Sequence, residues 1–187
     1  MTKTKQTIKE LERSAFEALK ENFGYKNPMQ VPRLLKVVIS AGTGSFKDKK
    51  KIDVVSDRLT KITGQKPSPR GAKKSIASFK VRQGETVGVQ ATLRGERMRG
   101  FLEKLLNVAF PRTKDFRGIS EGSVDGMGNI TIGIREHTIF PETTDEELKD
   151  VFGMSVTIVT SARTKQEAVA FLRHIGVPFA KQEKGKK

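Results

Sequence analysis

The chain has 187 residues, 35% hydrophobic and 30% charged, and its 36 Lys and Arg against 21 Asp and Glu give a formal charge of +15. That length suits one sizeable domain with a thin core and a heavily ionised surface, and so basic a balance asks for an acidic partner: RNA, DNA or an anionic membrane. No apolar run approaches the roughly 20 residues of a spanning helix, MTKTKQTIKELER carries no secretory or lipidation signal, and the lack of cysteine excludes disulfides and thiolate metal sites and fits a reducing cytoplasm.

Ile8, Leu11, Ala15, Leu19 and Phe23 recur at helical spacing, so residues 7–23 read as an amphipathic helix stopped by Gly24. Pro28 and Pro32 lead into an apolar strand, Leu34–Ser40, and the turn AGTGS. A second helix over about 50–63 places Ile52, Val55, Leu59 and Ile62 on one side and ends at Gly64. A basic loop then carries Lys66, Arg70, Lys73 and Lys74 on a backbone punctuated by Pro67, Pro69 and Gly71.

After that loop, Ser75–Arg82 and Thr86–Arg94 read as a hairpin around Gln83-Gly84-Glu85. The second run alternates: Val87, Val89, Ala91 and Leu93 on one face, Thr86, Gly88, Gln90, Thr92 and Arg94 on the other. A third helix spans about 96–109 and is stopped by Pro111, and a Gly-rich loop follows over 111–128. The strand Asn129–Arg135, a short helix in the acidic ETTDEELKD, the strand Ser155–Ser161 and a last helix, Thr164–Ile175, complete the order. The expected fold class is α+β: a two-layer sandwich whose mixed, mostly antiparallel sheet has helices on one face and an RNA-facing surface on the other. Residues 1–179 read as a single domain and 180–187 as a basic flexible tail.

Charge is unevenly spread. Residues 41–82 hold 12 basic and 3 acidic side chains, +9, whereas residues 119–160 hold 2 and 8, −6. The map suggests two partners: nucleic acid for the basic parts, and solvent or a basic protein for the acidic one. A polar strand face is normal for a half-exposed antiparallel sheet. The neighbouring loop cations tilt the reading towards a nucleic-acid surface, with Lys80, Gln90, Thr92 and Arg94 reaching phosphate, sugar or base edges. An aromatic such as Phe79 in a strand more often packs in a core than stacks on a base. One Tyr and no Trp disfavour a many-base stacking surface, so folded or double-stranded RNA fits better.

Enzyme signatures are weak. SAGTGS at 40–45 lacks the full phosphate-loop pattern, DGMGN at 125–129 lacks the acidic spacing of a calcium loop, and His137 and His174 are far apart. No cofactor and no metal are expected. A free-standing basic RNA chaperone and an RNA-modifying or phosphoryl-transfer enzyme both stay open at this point.

The blocks MQVPRLLKVVIS, KITGQKP, KKSIASFKVR, VQATLRGERM, LLNVAFPRTKDFRGIS, DGMGNITIGIREHTIFPE and GMSVTIVTSA follow one another as in the bacterial large-subunit ribosomal protein L5 family, the 5S rRNA-binding family. The resemblance covers about Asn27 to Phe179; the flanks are similar only in helix pattern and charge.

It implies a non-enzymatic constituent of the large subunit that binds 5S rRNA and helps attach it in the central protuberance, alongside the large-subunit rRNA. It further implies contact between the basic loop and P-site tRNA, and a bridge to a basic small-subunit protein, all on the cytoplasmic ribosome. Family contacts to 5S rRNA fall on Gln65, Phe79 and Thr92, and a family Asn falls on Ser40, which keeps a hydrogen-bonding group with shorter reach. Lys66, Lys80 and Arg94 join that set on charge and position. Arg70, Lys73, Lys74 and Ser75 match the tRNA-facing loop. Met127 and Ile130 stand where the family commonly has Arg and Tyr.

Overall fold

The computed structural model describes residues 7–44, 49–114, 116–143 and 151–180. In chain order they form α1 (Ile8–Phe23), β1 (Leu34–Gly42), α2 (Lys49–Thr63), β2 (Ser68–Gly71), β3 (Thr86–Leu93), α3 (Gly95–Lys104), α4 (Phe110–Arg112), β4 (Ile130–Ile134), β5 (Met154–Thr160) and α5 (Lys165–Ile175). Local chemistry sets the helix ends. Thr7 accepts from Glu10 N while Thr7 N donates to the Glu10 carboxylate, a reciprocal box that satisfies donors the first turn would orphan. Gly24, at φ +64°, closes α1 by donating its N–H to Lys20 O.

The strands form one five-stranded sheet in the order β2-β3-β1-β5-β4. β3 is antiparallel to β1, with Ser40 opposite Gln90 and Val38 opposite Thr92, and antiparallel to β2, with Ser68 opposite Gln90. Ser40 meets Ser155 at one point and Ser161 N donates to Arg33 O at another, so β1 and β5 also run oppositely. The fold is α+β with an antiparallel sheet, as the sequence led us to expect. Burial alternates along β3 and β5, leaving one buried face and one open face.

Two compact units emerge from the described residues, the first within 1–35, 102–132 and 158–187 and the second within 36–101 and 133–157. In the first, α1 packs on α5. Ala15, Leu19, Phe171, Leu172 and Ile175 are buried there, and His174 Nε2 lies 2.9 Å from Leu11 O and 3.1 Å from Ser14 Oγ. Tyr25, also buried, donates a short hydrogen bond to Glu167; loss of water around the phenol and that carboxylate together hold its pKa well above the ordinary tyrosine value. In the second unit, α2 lies on β3 and buries Val55, Leu59 and Ile62 near Val89, Ala91 and Leu93. Each such side chain removed from water contributes about 1.5–3 kcal/mol, which fixes which sheet face is covered.

Three expectations need correction. Ser75–Arg82 is not a strand. The partner of β3 is instead β2, inside the stretch read as a basic loop; Pro69 is tolerated there because β2 is an edge strand and needs no inward donor at that position. The helix expected to stop before Pro111 runs on to Arg112. One π turn, Leu105–Ala109, widens it, with Phe110 N donating to Leu105 O, and the wider turn relieves the clash a proline ring makes in a regular helix. Phe79 is not in the core: it is 74% exposed. Most of the acidic ETTDEELKD, residues 144–150, lies outside the described residues.

Candidate nucleic-acid interface

The open side of the sheet in the second unit is built by strand parity. Ser68 of β2 faces Gln90 of β3, Gln90 faces Ser40 of β1, and Ser40 Oγ lies 2.8 Å from Ser155 Oγ of β5. Three hydroxyls and an amide thus form a row across four strands. Parallel to it run Arg70, Gly88 and Gly42 in register, and Arg70 Nε donates to Gln90 Oε1 at 2.6 Å. With no side chains at Gly42 and Gly88, the backbone between them is bare. Ser40, Gly42, Arg70, Gly88, Gln90 and Ser155 consequently line an open depression of about 620 Å³. Hydroxyl, amide and guanidinium donors over a bare floor suit phosphate and sugar oxygens and base edges approaching closely.

Gln65, in the turn after α2, is drawn onto this surface. Its Nε2 donates to Thr92 O at 3.3 Å, and Thr63 Oγ1 braces the turn by donating to Leu59 O at 2.7 Å. Thr92 and Gln65 are half-buried; Lys66 and Arg94 are exposed, just after that turn and just beyond β3 respectively.

The remaining residues lie on the hairpin tip. Ala72 N donates to Glu85 O and Gly84 N to Ala72 O, carrying the β2–β3 pairing past a bulge at Arg70/Gly71. Ile76 and Val81 then bridge each other, Gln83 N donates to Ser75 Oγ at 2.9 Å, and a 3₁₀ turn, Ala77–Phe79, closes the end. Lys80 adopts φ +53° there, the one described non-glycine residue with positive φ. Lys73, Lys74, Ser75, Phe79 and Lys80 are therefore exposed together on one finger.

The structure thus redistributes the residues singled out from sequence. Arg70, grouped with the loop, belongs to the sheet face. Phe79 and Lys80, assigned to a sheet strand, belong to the finger. Sequence reasoning missed Ser68 and Ser155. Ser155 opens the last expected strand on its polar parity, so an alternation count could have found it; Ser68 sits between prolines and gave no such signal.

The DGMGN turn is held by its own hydrogen bonds. Asp125 accepts from Asn129 N (2.7 Å), Asn129 Nδ2 (3.0 Å) and Met127 N (3.0 Å). These bonds, the Asn129 backbone first, hold its carboxyl below the usual carboxylate range. The turn presents Met127, 74% exposed.

An open face of oriented hydrogen-bond donors with a cationic finger beside it marks a nucleic-acid-binding α+β protein. Residues 27–82 match the family model for ribosomal protein L5 and residues 86–179 the model for the C-terminus of the same ribosomal family, and the chain belongs to this family. It is 50% identical over 171 residues, 91% of this chain and 96% of the relative, to the large ribosomal subunit protein uL5 of Thermoanaerobacter sp. (strain X514). The uL5 proteins of Rubrobacter xylanophilus and Halothermothrix orenii are 51% and 52% identical over 87% and 86% of this chain, covering 91% and 90% of those relatives. The chain is accordingly a structural, non-enzymatic constituent of the large subunit of the cytoplasmic ribosome, where it interacts with rRNA.

Proposed function

We propose that this chain holds 5S rRNA on the open sheet face and thereby helps attach it to the large subunit. The observation that carries the reading is the row Ser68–Gln90–Ser40–Ser155 beside Arg70, over the floor left by Gly42 and Gly88. Gln65 and Thr92 extend that row, and Lys66 and Arg94 supply charge at its ends. On the finger, Phe79 and Lys80 reach 5S rRNA by stacking and charge, while Lys73, Lys74 and Ser75 face P-site tRNA. The acidic stretch 119–160 meets a basic small-subunit protein across the intersubunit bridge, by charge complementarity.

Oriented neutral donors supply selectivity, because an RNA that fails to match them leaves polar groups unpaired. The cations supply salt-sensitive affinity, about one unit of log–log slope per phosphate neutralised. Competition binding tests the reading: labelled 5S rRNA is displaced by unlabelled 5S rRNA far better than by tRNA or other structured RNAs. Equal displacement by all of them identifies an unspecific RNA chaperone instead.

A further inference from the structure

We infer that Phe116 and the cations around it form a second RNA site, which stacks one unpaired ribonucleotide and uses none of the sheet or finger residues. Phe116 lies parallel to the buried Phe110, centroids 5.0 Å apart at 14°, yet stays 37% exposed. One ring face is thus backed by the core while the ring keeps an accessible side. Arg112, Lys114 and Arg117 are exposed on the same short segment.

That segment is held at both ends. On one side Thr113 Oγ1 donates to Ala109 O at 3.1 Å, just after the π turn that carries the helix past Pro111. On the other, Ile119 N donates to Pro178 O at 2.8 Å and Ala180 N to Ile119 O at 2.9 Å. Gly118, at φ +95°, packs so tightly that a Cβ there would come within 2.6 Å of Ala180 N. Stacking on Phe110 and the hydrogen bonds on either side of the segment hold the Phe116 ring against the core, which lowers the ordering cost of stacking against its other face.

The surrounding charge decides the occupant. Protein-binding patches are depleted in lysine at their centres, whereas an exposed aromatic flanked in the chain by Arg112, Lys114 and Arg117, three cations to the one carboxylate of Asp115, pairs a base with its flanking phosphates. The +15 chain works among ribosomal RNA, so the ligand is an unpaired nucleotide of 5S or large-subunit rRNA.

The test uses intact large subunits carrying the full chain. Ultraviolet irradiation, digestion and mass spectrometry locate nucleotide–peptide adducts, and the attached RNA sequence tells 5S from large-subunit rRNA. We expect an adduct at Phe116, kept in Phe116→Tyr and lost in Phe116→Leu. In solution, Phe116→Leu and the double variant Lys114→Glu/Arg117→Glu are each expected to weaken binding of the adduct-bearing rRNA roughly 5- to 150-fold. The double variant changes neither ring of the Phe110–Phe116 stack, and its melting curve, expected to match wild type, separates loss of binding from unfolding. Three results overturn the inference: no nucleotide on Phe116 in irradiated wild-type subunits, a protein cross-linked there instead, or unchanged binding by the double variant. None of these outcomes bears on the sheet face, whose own test is the 5S rRNA competition.

Discussion

Gln65 and Thr92 are tied through backbone rather than side chain to side chain: the Gln65 amide donates to the carbonyl of Thr92 at 3.3 Å. The bond points Gln65 along the open face and leaves its carbonyl oxygen as an acceptor. Gln65→Ala is expected to weaken 5S rRNA binding by roughly 1–3 kcal/mol, since it removes both the brace and a donor group. Gln65→Glu is expected to bind worse still, because a carboxylate faces the Thr92 carbonyl and the RNA phosphates. Titration of labelled 5S rRNA ranks the two, and a Glu variant that binds like wild type removes Gln65 from the interface.

Phe79→Ala separates a packing role from a recognition role. At 74% exposure the ring supports little core, so thermal or denaturant unfolding is expected to shift by less than about 0.5 kcal/mol. Binding of 5S rRNA is expected to fall by about 1–3 kcal/mol, the range of a lost base–aromatic stack. A buried aromatic would instead cost about 3–5 kcal/mol of stability, so the unfolding curve alone rejects one alternative.

Charge reversal divides the sheet from the finger. Arg70→Glu is expected to impair 5S rRNA binding and flatten its salt dependence by about one unit, because Arg70 leans over the depression against Gln90. Lys73→Glu/Lys74→Glu is expected to leave 5S rRNA binding largely intact and to disturb tRNA placement on assembled ribosomes. Equal effects of both changes on 5S rRNA would place the finger lysines in the same contact as Arg70.

Asp125 gives the turn at 125–129 a pH dependence of known sign. Its carboxyl is held below the unfolded value of about 3.9, so the stabilisation is complete above that pH and is lost as pH falls through the lower folded value. Melting of wild type and Asp125→Ala is therefore expected to differ at neutral pH and to converge in acid. A gap that stays constant down the acid range shows that the bonds do not need the charge.

Gly128 in the same turn adopts φ +80°, and a Cβ there would sit 2.8 Å from Ala162 Cβ. Gly128→Ala is expected to cost about 2 kcal/mol or more through left-handed strain and overpacking together. Gly126→Ala, with nothing within 4 Å of its Cβ and no positive φ, serves as the matched control at under about 0.5 kcal/mol. Circular-dichroism melts of both variants decide it.

Much of this was legible beforehand because it rests on local rules. The spacing of Ile8, Ala15 and Leu19, the stop signals at Gly24 and Gly176, and the alternation through Val89, Ala91 and Leu93 each predicted the element that forms. The hairpin was misread because Ile76, Phe79 and Val81 have strand-like composition, whereas only Ile76 and Val81 pair and the chain between them curls into a 3₁₀ turn. β2 was hidden by the opposite effect: Pro69 and Gly71 argue against a strand, yet pairing to β3 overrides local preference at a sheet margin. Which site residues meet depends on that pairing, so the regrouping of Arg70 and Phe79 was out of reach of periodicity alone.

The shortness of β2 has an effect on the life of the chain away from its ribosome. A sheet margin is a template on which another copy can add a strand, and this one is four residues long, interrupted by proline and carries an arginine. At this margin a newly made chain waiting for its RNA is thereby poorly suited to pairing edge-on with its siblings.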